Sequence, residues 1–135
     1  MREDRLQYEI AQWLRSQNIT FFHVPNGGTR NKAEAAQMVA CGVKAGVHDL
    51  VLMLPGGICL FIELKTNSGI VSKPQKKFHY ATKMLSHQQI LIQTDSPQQA
   101  IAQIEKAVLR LISPDFSLPL ASIDPLSELE LQPEQ

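Results

Sequence analysis

The stretch HDLVLMLPGGICLFIELK, residues 48–65, constrains this chain more than any other. Two apolar runs, Asp49–Leu54 and Ile58–Lys65, are separated only by Pro55-Gly56-Gly57, and so short a break between β-rich runs specifies an antiparallel hairpin. Both runs are apolar on both faces, which predicts interior strands covered on two sides. Charge is confined to their ends. Asp49 stands at the mouth of the first strand, and Glu63 and Lys65 lie at the far end of the second. Side chains alternate along a strand, so Glu63 and Lys65 share a face, with Phe61 and Cys59 behind them. A hairpin turned at 55–57 then brings Asp49 beside both.

Two carboxylates a few ångströms apart at the edge of an oily sheet repel each other and lose hydration, so something cationic must hold them. Lys65 can do part of this. A divalent cation does it better, and hard oxygen ligands suit magnesium or manganese. The competing reading is an ordinary strand-end ion pair on the surface.

The remaining pattern alternates helix and strand. Residues 3–16 carry Leu6, Ile10, Trp13 and Leu14 at helical spacing. Residues 19–24 are β-rich and end at the turn Pro25-Asn26-Gly27-Gly28, and a short helix over 33–40 ends at Gly42. After a loop containing Gly69, Ser72 and Pro74 mark the start of a helix reaching about Ser86. Gln89–Gln93 makes a further strand. Ser96 and Pro97 start a last helix, with Ile101, Ile104, Val108 and Leu111 as its stripe.

The order α-β-α-β-β-α-β-α predicts an α/β fold, a small mixed sheet flanked by helices. The crossover from strand 58–65 to strand 89–93 should be right-handed and parallel. With Ile10 as the zero of the first helix, Glu3 falls at about +20°, between Leu6 at about −40° and Leu14 at about +40°. Glu3 is therefore either a third carboxylate facing the sheet or a terminal residue frayed into water.

At 135 residues one domain is the expectation. The formal net charge of zero conceals an asymmetry. Residues 1–112 hold all 13 Lys and Arg against 8 acids, a surplus of five, whereas residues 113–135 hold five acids and no base. The chain thus divides into a basic body, 1–112, and an acidic tail dotted with Pro and Leu. A basic body suits a polyanionic partner, although a solvated face would look the same. The charged N-terminus lacks the apolar core of a signal peptide, and no apolar run approaches membrane-spanning length, so the chain reads as cytoplasmic. Cys41 and Cys59 lie in apolar surroundings without C-x-x-C spacing. A zinc site with His48 is imaginable, but buried thiols in the core are the plainer reading.

The run VPNGGTRNKAEAAQMVACGVKAGVHDLVL, followed by GGICLFIELKTNSGIVSKPQKKF, resembles the VRR-NUC family of the PD-(D/E)XK nuclease superfamily, with its small stand-alone phage and bacterial members. The resemblance covers roughly residues 3–95. It implies a restriction-endonuclease-like core and a metal-dependent DNA endonuclease using magnesium or manganese. Asp49 and Glu63 would ligate the metal, with the Leu64 carbonyl as a further ligand. Lys65 would orient the attacking water or steady the phosphate. Gln75 matches a glutamine on the helix after the motif, and Glu3 matches the acid of the family's first helix. Where the family usually has proline before the aspartate, this chain has His48, an extra base or, as we read it, a surface histidine.

Asn26, Gly27 and Gly28 form a loop whose backbone can approach a phosphate. Arg30, Lys32, Lys73, Lys76 and Lys77 would position DNA rather than read it. The stand-alone members point to a structure-selective enzyme acting on branched DNA, a homodimeric resolvase of four-way (Holliday) junctions, because a junction needs two symmetric cuts. A restriction-like or general nuclease is the runner-up, and a non-catalytic DNA-binding module is the alternative from another class.

Overall fold

The computed structural model describes residues 2–25 and 31–112. Among these residues four helices and four strands follow in the expected order: α1 (Glu3–Ser16), β1 (Thr20–His23), α2 (Lys32–Ala40), β2 (Leu50–Leu54), β3 (Ile58–Lys65), α3 (Lys73–Met84), β4 (Gln88–Gln93) and α4 (Pro97–Leu111). The tail 113–135 and the loop 26–30 lie outside the described residues.

The helices start where side chains can satisfy their first free N–H groups. Asn31 Oδ1 accepts from Glu34 N–H at 2.8 Å, and Ser96 Oγ from Gln99 N–H at 3.2 Å. Ser72 and Gln75 form a reciprocal capping box, the serine hydroxyl accepting from Gln75 N–H and the glutamine Oε1 from Ser72 N–H.

The strands form one sheet in the order β1-β2-β3-β4. The pairs β1–β2 and β2–β3 are antiparallel, and β3–β4 is parallel, as expected of a strand reached through a helical crossover. Leu50 pairs with Ile62 and Leu52 with Leu60, so the hairpin register places the start of β2 beside the end of β3.

One face of the sheet is the core. Leu50, Leu52, Leu54, Leu60, Ile62, Leu64 and Ile92 pack there against Leu6, Ile10 and Leu14 of α1 and against Ala100, Ile104, Ala107 and Val108 of α4. Burying each of the larger side chains is worth about 1.5–3 kcal/mol.

The other face departs from expectation. It is not covered throughout, because α3 is short and lies over the Glu63 end only. Met53 is 53% exposed and Cys59 is exposed beside it. A fully apolar strand here reflects one buried face and one half-open face. Helix α2 buries no residue at all.

Gly46 fixes where α3 begins. Its φ is +84°, and a Cβ there would run into the backbone carbonyl of Pro74. The segment before β2 thus touches the main chain one residue ahead of Gln75. Gly46→Ala should cost about 1–3 kcal/mol by overpacking and backbone strain. An unchanged urea midpoint would show that the close approach carries no weight.

Candidate active site

Asp49 sits one residue before β2 and is anchored at both ends. Its backbone carbonyl accepts from Val24 N–H at 2.9 Å and lies 2.7 Å from His23 Nδ1. Its Oδ2 accepts from Leu64 N–H at 2.8 Å, continuing the hairpin with a side chain where the backbone ladder stops. On β3 the Lys65 carbonyl faces β4, where it accepts from Thr94 N–H at 2.9 Å. Alternation of backbone groups therefore turns the Leu64 carbonyl toward Asp49.

Glu63 is fully buried. Its Oε1 accepts from Gln75 Nε2 at 2.9 Å and lies 3.9 Å from Lys65 Nζ. Its Oε2 is buried and has no hydrogen-bond partner among the described residues. Burial first, and the Asp49 carboxylate second, push the Glu63 carboxyl up to about 8, with Lys65 opposing. Asp49, Glu63, Lys65 and Gln75 are thus brought together as the sequence reading required.

Glu3 opens α1. The residue is exposed, yet partial desolvation of its carboxyl raises its pKa, Lys65 lowers it and Asp49 raises it again. It is in electrostatic reach of the pair. Among the described residues, however, no three His, Cys, Asp or Glu side chains converge as metal ligands. The two acids brought closest are Asp49 and Glu63.

The fit of a cation can be judged from the carboxylates themselves. An oxygen of Glu63 is buried without a partner, and the Lys65 amine stands too far off to neutralise two acids. Two carboxylates and a nearby backbone carbonyl are hard oxygen donors, which fit magnesium or manganese. Zinc is a poor match. Cys41 and Cys59 are exposed free thiols on separate elements, so neither the core reading nor a zinc site with His48 holds.

The charge pair sets a pH dependence. A carboxyl raised from 4.5 to about 8 gives stability that is fully present below 4.5 and lost as the pH rises through 8. Desolvation lowers the buried His48 and the partly buried His79 from 6.5, so their loss falls on the acid side of that value. In EDTA the unfolding temperature should therefore fall between pH 6.5 and pH 8. Excess manganese should abolish the fall; a flat profile in EDTA would rule out the strained pair.

Of the residues expected to position DNA, Lys32, Lys73, Lys76 and Lys77 are exposed. Asn26, Gly27, Gly28 and Arg30 lie outside the described residues. A groove of about 670 Å³ runs between α2 and the start of α3, lined by Met38, Val39, Lys44 and Gly46 and reaching Gln75.

His48 is not on the surface. It is buried beneath α3, with Nε2 2.8 Å from Gln89 Oε1, and burial holds its pKa at about 4. The sequence reading missed His79, whose Nε2 lies 3.4 Å from Glu63 Oε2. The signal was present, because His79 follows Gln75 by four residues and so shares its face of α3.

A mixed sheet carrying an acid and a lysine at the end of one central strand, a second acid at the mouth of its neighbour and helices on both faces defines the class of fold. The same architecture recurs in solved structures. One, a VRR_NUC domain protein, superposes with a TM-score of 0.65 at 22% identity, over 81% of this chain and 89% of that one. A second, a VRR_NUC domain, gives a TM-score of 0.52 at 15% identity, over 82% and 97%. The chain therefore has the VRR_NUC fold. No protein-family profile and no curated protein sequence matches it significantly.

Proposed function

We propose that this chain is a divalent-metal-dependent DNA endonuclease of the PD-(D/E)XK type. The observation that carries the reading is the buried Glu63 carboxylate held against Asp49, with the Lys65 amine alongside. Protein folds tolerate such a pair where it does chemistry, and perturbed acids in a cleft are the usual mark of that. The VRR_NUC fold agrees with it.

Asp49, Glu63 and the Leu64 carbonyl would hold magnesium or manganese. When bound, such an ion supplies Lewis acidity toward the scissile phosphate and the attacking water. Water attacks phosphorus and gives up a proton to solvent, the P–O bond to the leaving sugar breaks, and the departing oxygen takes up a proton from solvent. Lys65 steadies negative charge on the phosphate or orients the water, and its buried position beside Glu63 makes it a fixed donor. Gln75 holds Glu63 in place, while the exposed lysines of α2 and α3 contact backbone phosphates and fix register.

The preferred substrate is branched DNA, cut by a homodimer whose two-fold axis matches that of a four-way junction. Magnesium-dependent cleavage of junctions, flaps and linear duplex, compared on gels, tests this. Equal cutting of all three would leave a general nuclease instead. Lys65→Ala should reduce cleavage by about 100-fold or more while leaving DNA binding in place. Undiminished cleavage would remove Lys65 from the mechanism.

A further inference from the structure

Two histidines lie stacked beneath the carboxylate pair. The His48 and His79 rings are 4.2 Å apart at their centroids, with 26° between their planes. Phe61 and Phe78 pack against the His48 ring. Gln89 on β4 clips the two histidines together: its Oε1 lies 2.8 Å from His48 Nε2, and its Nε2 donates to the His79 carbonyl at 2.9 Å. Stacked on His48, the His79 ring has its Nε2 3.4 Å from Glu63 Oε2. Both atoms are buried, and neither makes a hydrogen bond among the described residues, so they face each other as an unfilled donor–acceptor contact.

A carboxylate turns readily about its last bond, because that torsion has broad minima. Gln75 fixes one oxygen of Glu63 and leaves the rotation of the group open. A nitrogen facing the other oxygen closes it. Against the ionised carboxylate that a cation requires, the tautomer with the proton on Nε2 suits this place, since two lone pairs would otherwise meet.

We propose that His79, stacked on His48 and clipped by Gln89, is a positioning residue that fixes the plane of the Glu63 carboxylate for cation binding. It touches neither substrate nor metal. The inference rests on the metal reading given above and assigns to α3 and β4 a supporting layer behind it, of the kind whose loss costs 10–100-fold in metal affinity.

The test is manganese affinity, read by titration calorimetry on full-length protein without DNA, so that cleavage is not the readout. His79→Phe keeps the ring, its volume and the stack but removes the nitrogen; it should weaken manganese binding about tenfold with an unchanged circular dichroism spectrum. His79→Gln returns an amide nitrogen at similar reach and should restore affinity to within about threefold of wild type. A packing role alone predicts the reverse order, Phe tolerated and Gln not. As a second route, Gln89→Leu removes the partner of the His48 ring on which the His79 ring is stacked, without touching Glu63, and should weaken binding in the same direction. Unchanged affinity in His79→Phe and Gln89→Leu, with binding abolished in Glu63→Gln, overturns the inference and leaves the metal site standing. If wild type and Glu63→Gln bind manganese alike, the metal reading fails and this inference falls with it.

Discussion

The structure turns on one unfavourable contact, the approach of Glu63 to Asp49 at the end of the central hairpin. Two acids in a desolvated place repel, and the carboxyl of Glu63 responds by holding its proton to about pH 8. Everything around the pair is arranged to keep it there. Asp49 is tied to the backbone of β1 and β3, Glu63 to Gln75, and the lysine two residues on comes no nearer than 3.9 Å. Below that pH the retained proton spares the pair its repulsion; above it, two negative charges stand with a single amine beside them.

The sheet divides the work between its faces. Its apolar face is closed by α1 and α4, which contribute the core and leave the hairpin rigid. Its other face is closed by α3 at one end only, and that end is where the acids lie. The uncovered remainder, around Met53 and Cys59, explains why strands so uniformly apolar are not wholly interior.

Much of this was legible in the residues. The spacing of the hairpin set the register, and the register set Asp49 beside Glu63; both are local consequences of a three-residue turn. Gln75 was legible by resemblance. His79 was not, although it shares the face of Gln75, because which helical face meets the sheet depends on how α3 docks. His48 and the cysteines were misjudged for a related reason. An isolated polar residue or thiol carries no periodic signal, so its burial is decided by partners distant in the chain, here Gln89 for His48 and, among the described residues, no covering helix for the exposed Cys59. Glu3 stood between two readings, and the structure gives it something of each, an exposed residue with a carboxyl that still senses Lys65.

Gln75 shows how tightly the two levels are joined. Its Oε1 accepts from the main chain that opens α3, and its Nε2 donates to Glu63. At this point in a helix, glutamate serves the local capping role as well as glutamine does. Here it would aim a third negative oxygen at a carboxylate already short of countercharge, while asparagine is one methylene too short to reach both ends. The vocabulary open to the helix start is therefore cut to a single amide by a neighbour on another strand. Where α3 begins and which way Glu63 points are one decision, written in one side chain.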